Sequence, residues 1–374
     1  MILLLKKYEG CVVITKILII GSNTRSISRS FKLLGYTVYA TSFYDVTDAY
    51  EFVDKLLVPS DINDFSLKSL EDIALDYVDD VDYIIFTSDV DTTRFPKSKV
   101  IGNYNTDLVN NKFKLYKFLH KNFLLPKTYK LNDMDEAQEI VLNNPNKKYV
   151  IKPVYGTGGL NIHWFSRDVY VDDEFLLQEY VYGDSVSSSF LSYPNHEIEF
   201  ITSSEQIIGS KMLGARDFTY CGNITPYINS SSKIKNISAK ISRMCKLVGS
   251  NGIDFVVDNN KVYVLEVNPR IQGSFECVER SFNMNLAKAH MDVYNNIPVN
   301  IPKVKQFCVK LIAYARNNGM CNLENIPYVY DKSDCSYIFR KGEPIATIIV
   351  SDRILENAMS KAERIRKSVY NSFI

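Results

Sequence analysis

The sequence has no long apolar run and no excess of charge of either sign. Nowhere in its 374 residues is there the stretch of about 20 apolar residues that spans a bilayer. Lysine and arginine number 44 and aspartate and glutamate 43, which leaves a net charge of +1. A chain so evenly charged lacks the overall field that draws a protein to nucleic acid or to an anionic membrane. We therefore expect partners that are small molecules, with neither nucleic acid nor a membrane among them.

Side chains that bind zinc or form disulfides are few and scattered. The seven cysteines contain no Cys-x-x-Cys pair, and the four histidines lie far apart in sequence. This pattern argues against a disulfide framework and a structural zinc site. The apolar start, residues 1–5, is followed by Lys6, Lys7 and Glu9, whereas a signal peptide carries its charge before a longer apolar run. We expect residues 1–15 to be a disordered or strand-like extension of a cytoplasmic enzyme.

Residues 16–106 have the pattern of a doubly wound parallel α/β domain. Short apolar runs at 16–21, 36–40 and 83–87 are typical of buried strands. Residues 24–34 between the first two runs have apolar side chains spaced for one face of a helix. Strands that alternate with helices favour a parallel sheet covered on its faces.

The pattern changes after residue 106. Residues 107–122 predict one long helix, and from residue 149 onward several short β-rich runs indicate antiparallel strands. Two runs at 252–257 and 261–267 predict a hairpin with its turn at 258–260. Prolines 298 and 302 mark a linker before a small β-containing domain at 301–374. The fold class is α/β (α+β), with an extension at 1–15 and domains at 16–106, 107–300 and 301–374.

A glycine-rich turn follows a lysine at the end of a predicted strand. Lys152 is followed by residues 156–159, Gly-Thr-Gly-Gly. Glycines allow backbone N–H groups to approach a phosphate closely, and a lysine adds a positive charge to it. The alternative is an ordinary hairpin turn with an exposed lysine.

The predicted hairpin carries oxygen ligands on one face. A turn centred on residue 259 or 260 places Asp254 opposite Glu266, and Asn268 lies two residues further on the same side. Two carboxylates and an amide oxygen form a hard-oxygen site suited to Mg²⁺. Two solvated acids on a surface hairpin are the alternative, but apolar flanking residues favour the metal site. Arg270 comes next, where it either holds a phosphoryl or carboxylate group or is a surface loop residue.

Four motifs follow one another in order: Lys152-Pro-x-x-Gly-x-Gly-Gly, Gln178-Glu-Tyr-Val-x-Gly, Gly252-x-Asp and Glu266-Val-Asn-Pro-Arg. Over residues 107–300 this order resembles the ATP-grasp superfamily, and the α/β unit before it resembles the domain that usually precedes. The opening Gly21-Ser-Asn-Thr-Arg and the tail Lys341-Gly-Glu-Pro-Ile resemble the archaeal predicted ATP-dependent carboligases related to biotin carboxylase.

The resemblance implies a role for each matched position. The expected nucleotide-binding residues are Lys112 and Lys152 at the phosphates, Gly156, Thr157, Gly158 and Gly159 in the closing loop, and Gln178, Glu179, Tyr180 and Val181 on the adenine side. Many members hold the ribose with a glutamate at the position where this chain has Ser185. The expected ligands of Mg²⁺ or Mn²⁺ are Asp254, Glu266 and Asn268.

The resemblance also implies the chemistry. ATP converts a carboxylate to an acyl phosphate, which an amine then attacks, while Arg270 stabilises the developing oxyanion. Arg216, in the stretch Gly214-Ala-Arg-Asp, either assists Arg270 or is a solvated surface residue of a loop. One alternative is carboxylation through carboxyphosphate. The glutamate base that biotin carboxylase carries just after the glutamine is missing here, because Gly273 and Ser274 follow Gln272. The other is an ATP-binding protein without catalysis. The tail at 301–374 either closes the substrate pocket or forms a homodimer interface.

The turn after the first predicted strand raises two further questions, whether it binds a dinucleotide and what Thr24 and Arg25 do. The turn lacks the Gly-x-Gly-x-x-Gly pattern of a dinucleotide oxidoreductase. Thr24 and Arg25 at a helix start either bind an anionic substrate group or provide a simple helix cap through Thr24.

Overall fold

The computed structural model describes residues 6–8, 11–13, 15–61, 64–156, 158–159, 161–166, 174–229 and 232–374. Within the expected extension, strands β1 (Lys6–Tyr8) and β2 (Cys11–Val13) pair with each other in antiparallel fashion. Among the predicted site residues, Thr157 lies outside the described part.

The N-terminal unit is a four-stranded parallel sheet, as predicted. Its strands lie in the order β5-β4-β3-β6. Ile17 and Ile19 of β3 pack in the same core as Phe31 of α1, whereas Leu18 and Ile20 pack in the same core as α2 on the other face. The alternation places one helix on each face of the sheet. The elements are β3 (Lys16–Ile20), α1 (Arg25–Lys32), β4 (Thr37–Thr41), β5 (Lys55–Leu57), α2 (Leu67–Leu75) and β6 (Tyr83–Phe86).

The predicted single helix over 107–122 is wrong, because the structure contains two helices, α3 (Asp107–Asn110) and α4 (Lys112–Leu119). Asn111 between them is extended, and its side chain accepts a hydrogen bond from the Lys114 amide, which caps α4. The break leaves the Lys112 amide free of α3, and it donates to the Val154 carbonyl at 3.0 Å. This contact brings the start of α4 to the predicted phosphate loop.

A small antiparallel sheet follows, with the strand order β7-β10-β8-β9. Its core contains Ile151 of β8 and Leu177 of β10, together with Ala137 of the helix α5. The register pairs Lys152 with Leu176, so the lysine lies near the end of a central strand. The elements are β7 (Thr128–Leu131), α5 (Met134–Leu142), β8 (Tyr149–Pro153), β9 (His163–Trp164) and β10 (Phe175–Glu179).

The remaining strands form one eight-stranded sheet in the order β15-β14-β11-β12-β13-β16-β18-β17. Strands after residue 300 extend this sheet, because β16 pairs with β13. The elements are β11 (Asp184–Ser192), β12 (Ile198–Ile208), β13 (Tyr220–Thr225), α6 (Ser232–Cys245), β14 (Gly249–Asp258), β15 (Lys261–Asn268), α7 (Phe275–Phe282), α8 (Leu286–Tyr294), β16 (Phe307–Tyr314), β17 (Val329–Tyr330), β18 (Pro344–Asp352) and α9 (Leu355–Asn371). No helix in the described ranges combines the length and apolarity of a membrane span.

Candidate active site

The β14–β15 hairpin brings the predicted metal ligands together. Asp254 pairs with Glu266 and Gly252 with Asn268, which confirms the predicted register. The pairing depends on a β-bulge between Asp254 and Phe255, since the register on the turn side of the bulge would place Asp254 opposite the apolar Leu265. The bulge therefore moves both carboxylates to one face.

The electrostatics of this face favour a bound cation. Burial raises the pKa of Asp254 and the neighbouring Glu266 carboxylate adds to the shift, while hydrogen bonds from Ser187 and Asn268 oppose it, so that the pKa is about 6. In the described ranges, no three His, Cys, Asp or Glu side chains group as a metal site, so the Asn268 amide is needed as the third oxygen ligand. Two carboxylates and an amide fit a hard divalent ion such as Mg²⁺ or Mn²⁺.

Two lysines lie beside these acids. The Lys112 ammonium donates to Glu266 Oε1 at 3.0 Å and to the Gly156 carbonyl at 2.5 Å. Lys152 is buried, and its burial together with the neighbouring Lys112 lowers the pKa of its ammonium to about 8, although Glu266 opposes the shift. Both ammonium groups are therefore placed where a polyanion such as a triphosphate would relieve their repulsion.

The glycine-rich loop after β8 has the backbone that its sequence predicts. Its three described glycines all adopt positive φ, which side-chain-bearing residues rarely do. The angles are +146° at Gly156, +67° at Gly158 and +75° at Gly159.

This loop lies against the segment before β13. The Tyr220 amide donates to the Gly158 carbonyl at 3.2 Å, and a Cβ added to Gly159 would lie 1.8 Å from the Phe218 carbonyl oxygen. Phe218 in turn contacts Trp164 of β9, with ring centroids 5.1 Å apart. A side chain larger than hydrogen at Gly159 would therefore separate the loop from the large sheet.

The predicted adenine-side segment, residues 178–181, is partly engaged within the protein. The side-chain amide of Gln178 donates from Nε2 to Thr128 Oγ1 at 2.8 Å, and the Glu179 carboxylate forms an ion pair with Lys147 at 2.8 Å. The Tyr180 amide donates to the Lys148 carbonyl, and the Tyr180 ring lies 4.6 Å from that of Trp164. These contacts fix the strand end, with Val181 half-buried next to it. Ser185, the position matched to the ribose, is half-buried on β11 opposite Val256.

Arg270 joins the hairpin to the N-terminal unit. Its Nε donates to Asp89 Oδ1 at 2.6 Å, its Nη1 to the Thr87 carbonyl at 3.3 Å and its Nη2 to Asn268 Oδ1 at 3.2 Å. Burial opposes the charged form, yet the Asp89 carboxylate raises the pKa of the guanidinium. Arg270 therefore lies beside Asn268, one of the candidate metal ligands, and keeps its positive charge.

Arg216 lies elsewhere, in an exposed turn where its carbonyl accepts from the Thr219 amide. The turn includes Phe218, which meets the glycine-rich loop, so Arg216 is close in sequence to the loop contact. Arg270 donates to Asn268 of the hairpin, whereas among the described residues the Arg216 guanidinium makes no hydrogen bond to Asp254, Glu266 or Asn268, and its role stays a prediction.

Sequence reasoning missed two side chains that contact the candidate ligand Asp254. Gln206 Nε2 on β12 donates to Asp254 Oδ1 at 3.2 Å, and Ser187 on β11 lies directly opposite Asp254. Gln272 Nε2 donates to Ser187 Oγ at 2.9 Å. No motif marks Gln206 or Ser187, because they reach the site only through the pairing of β11 with β12 and β14. Asp89 was likewise missed, because it lies 181 residues from Arg270.

The structure overturns both interpretations of Thr24 and Arg25. Thr24 Oγ1 donates to the Thr41 carbonyl at 2.7 Å, and the Thr24 side chain caps no backbone N–H group at the start of α1. Arg25 is buried and bound to Asp331 at 2.6 Å and to Glu276 at 2.7 Å. Its guanidinium is thus committed to carboxylates of the protein itself.

Comparisons with known proteins agree with this geometry. A family model of the ATP-grasp domain matches residues 109–274. An uncharacterized protein of Methanocaldococcus jannaschii is 31% identical over 357 residues, which are 91% of this chain and 89% of the relative. Tyramine–L-glutamate ligase of the same organism is 28% identical over 132 residues, 34% of this chain and 37% of that protein.

The fold also matches solved structures. The biotin carboxylase domain of 2-oxoglutarate carboxylase from Hydrogenobacter thermophilus superposes with a TM-score of 0.73 at 13% sequence identity, covering 96% of this chain and 90% of that one. The N-terminal parallel sheet, the small antiparallel sheet and the eight-stranded sheet thus form an arrangement that is also found in this solved structure. With the family model and the long archaeal relative, this shows that the chain belongs to the ATP-grasp superfamily.

Proposed function

We propose that this chain is an ATP-dependent carboxylate–amine ligase that activates a carboxylate as an acyl phosphate and transfers the acyl group to an amine. One observation carries the proposal: the half-buried acids Asp254 and Glu266 share one face of a hairpin, and Lys112 donates to Glu266 there. The buried Lys152 lies close enough for Lys112 and Glu266 to act on its pKa. That arrangement suits a metal–triphosphate complex and supplies counter-charges on both sides.

Each group then has a chemical task. Asp254, Glu266 and Asn268 would hold the divalent cation, which supplies positive charge to the phosphate oxygens when bound. Lys112 and Lys152 would bind phosphate oxygens and stabilise the charge that moves with the γ-phosphoryl group. Arg270 adds a fixed positive charge beside the ligands, where the carboxylate oxygens of the substrate need it. The loop at 156–159 would exclude water from the phosphates.

The relatives support a ligase and leave the substrates open. The tyramine–L-glutamate ligase that matches a third of this chain joins an amine to an amino acid, according to its name. Glutamate and tyramine are therefore the first substrates to test. We infer a soluble cytoplasmic enzyme because the matched chemistry uses ATP and small molecules.

A second candidate function is carboxylation through carboxyphosphate. The solved biotin carboxylase domain with the same fold was crystallised with MgADP and bicarbonate. Against this candidate, this chain has Gly273 and Ser274 after Gln272, so the base expected for bicarbonate is missing.

The test is release of ADP and phosphate from MgATP. The reaction would be supplied with pools of carboxylates and amines that include L-glutamate and tyramine, with and without bicarbonate. We expect ADP and phosphate only when a carboxylate and an amine are both present. ADP that depends on bicarbonate would support carboxylation instead, and AMP with pyrophosphate would contradict acyl-phosphate chemistry.

Variants connect the reaction to the proposed site. Glu266→Gln and Lys152→Met should each remove ADP release, while Lys130→Met should retain it. Lys130 is a matched control, since it lies exposed on the edge of the same small sheet and pairs with Glu174. Unchanged turnover in Glu266→Gln or Lys152→Met would contradict the proposal.

A further inference from the structure

Asp89 of the N-terminal unit makes a two-pronged ion pair with Arg270. Asp89 lies three residues after the end of β6, at the carboxyl edge of the parallel sheet. Its Oδ1 accepts from Arg270 Nε at 2.6 Å and its Oδ2 from Nη2 at 3.1 Å. Each of the two side chains is 10% exposed. Such a planar fork fixes the orientation of the guanidinium as well as its position.

The oriented guanidinium then determines how the Asn268 amide is turned. Arg270 Nη2 donates to Asn268 Oδ1 at 3.2 Å, and Asn268 Nδ2 donates to Asp254 Oδ2 at 3.2 Å. If the amide were flipped, its NH₂ would face the guanidinium and its oxygen would face the Asp254 carboxylate. Both contacts would be repulsive, so only one amide orientation is compatible with Arg270. That orientation leaves the second lone pair of Oδ1 for a cation.

Stability alone is a weak reason for this ion pair. Replacing a buried ion pair with apolar groups is often neutral or favourable, because the desolvation cost offsets the Coulomb gain. Arg270 is held at the same time by the Thr87 carbonyl of the same edge. The N-terminal unit therefore supplies two acceptors that aim one arginine at the candidate metal ligands.

We propose that Asp89 is a positioning residue that orients Arg270, and through it the Asn268 amide, for binding of the divalent cation with the nucleotide. The proposal rests on the proposed function, since it assumes that Asp254, Glu266 and Asn268 bind a metal. It assigns the N-terminal unit a direct part in the metal site.

The experiment measures Mn²⁺ binding by electron paramagnetic resonance in the presence of saturating ADP. Asp89→Asn keeps the shape of the side chain but removes the charge and one acceptor, so we expect its Mn²⁺ affinity to fall by about 10- to 100-fold. Asp72→Asn is the matched control, because Asp72 also pairs with an arginine of the N-terminal unit at 2.6 Å but is 52% exposed. That control should bind Mn²⁺ like the unmodified chain.

Two further measurements separate positioning from damage to the fold. ADP binding in EDTA, measured by calorimetry, should differ by less than about twofold between Asp89→Asn and the unmodified chain. For comparison, a tenfold change in affinity corresponds to about 1.4 kcal/mol. Asp89→Glu retains the charge and serves if Asp89→Asn does not fold; its longer side chain shifts the fork, so Mn²⁺ affinity should fall by about threefold to tenfold.

The outcomes distinguish the two proposals. If the unmodified chain binds Mn²⁺ with ADP and both Asp89 variants bind it equally well, the positioning role is wrong while the proposed function stands. If the unmodified chain binds no Mn²⁺ with ADP, the metal site and the proposed function fail, and the positioning role fails with them.

Discussion

The chain holds two mixed groups of charges in its interior, one around Arg25 and one around Asp254. Most pKa shifts in the first group favour the charged forms, whereas two in the second group favour the neutral forms. We call the first the Arg25 cluster; it consists of Arg25, Asp48, Glu276, Arg280 and Asp331. Burial alone would disfavour its charges, yet the carboxylates raise the pKa of Arg25, and Arg25 lowers the pKa values of Glu276 and Asp331. Only Asp48 departs from this pattern among these five, because burial and Asp331 raise its pKa.

The second group, the site cluster, consists of Lys112, Lys152, Asp254, Glu266 and Arg270. Here burial is the largest cause of the shift at two members, whose pKa values are about 6 for Asp254 and about 8 for Lys152. Each shift is increased by a neighbour of like charge, Glu266 in one case and Lys112 in the other. At Arg270 the carboxylates, Asp89 foremost, together outweigh burial and raise the pKa.

The difference shows which of the two groups has all its counter-charges within the protein. In the Arg25 cluster the protein supplies the counter-charges, so the cluster needs no ligand and joins α1 to α7 and the segment after β17. In the site cluster two groups are pushed toward their neutral forms, which is typical of sites that await a ligand of opposite charge. A cation beside Asp254 and a polyphosphate beside Lys152 would complete it.

The largest expected effect tests the Arg25 cluster. Arg25→Met leaves Asp331, Glu276 and Asp48 without their shared partner, so we expect the free energy of unfolding to fall by about 3–5 kcal/mol. Chemical denaturation monitored by circular dichroism measures this. Arg29→Met, on an exposed position of the same helix, should change it by less than about 0.5 kcal/mol. MgADP affinity of the folded Arg25→Met protein should be unchanged, and a loss of affinity would mean that the Arg25 cluster belongs to the site.

The second effect tests the site cluster through its arginine. Arg270→Lys keeps a charge for Asp89 but cannot reach Thr87 and Asn268 with the same planar fork. We expect the rate of ADP formation to fall about 100-fold with an unfolding free energy that changes by less than about 1 kcal/mol.

Arg243→Lys is the control for that measurement, since Arg243 is 60% exposed and its ion-pair partner is Glu197 rather than a residue of the candidate site. If Arg270→Lys lowers stability and leaves the rate unchanged, Arg270 behaves like Arg25 and the contrast between the clusters disappears.

The third effect concerns the repulsion at Asp254. A carboxyl whose pKa is raised on folding stabilises the protein at low pH, and this contribution is lost as the pH rises through about 6. Asp254→Asn removes that loss but sets an NH₂ group against a donor from Gln206 or Asn268. In EDTA at neutral pH we expect a net gain of roughly 1–2 kcal/mol, which shrinks toward pH 4.

Thermal denaturation with and without metal checks this prediction. With Mg²⁺ and ADP the unmodified chain should be stabilised and Asp254→Asn should not. If Asp254→Asn is less stable than the unmodified chain in EDTA, then Asp254 is a satisfied structural acid and the site cluster is already complete.

The same comparison explains what the sequence could predict. The two acids of the site cluster lie on one hairpin, so a turn and an alternating pattern were enough to pair Asp254 with Glu266. The bulge that makes this pairing possible adds one residue and has no clear motif. Arg25 contacts Asp331 and Glu276 across 306 and 251 residues, and no local pattern reports such contacts. Arg25 was therefore interpreted as a possible anion-binding residue, whereas tertiary structure had already neutralised it.

The smallest effect concerns Lys152 and its depressed pKa. In the free protein, its ammonium loses its proton as the pH rises through about 8. Each pH unit above this value should weaken ADP binding by up to tenfold, because a neutral amine attracts a phosphate far less than an ammonium does. Calorimetry between pH 7 and 9 measures the slope under conditions in which Asp254 remains ionised.

Lys152→Arg gives the matched test of that slope, since a guanidinium stays charged throughout this range. Its ADP affinity should be nearly flat from pH 7 to 9, whereas Lys130→Arg, on the exposed edge of the same sheet, should retain the slope of the unmodified chain. If the ADP affinity of the unmodified chain does not depend on pH, Lys152 keeps its charge through partners within the protein, as Arg25 does. The contrast between the two clusters would then rest on Asp254 alone.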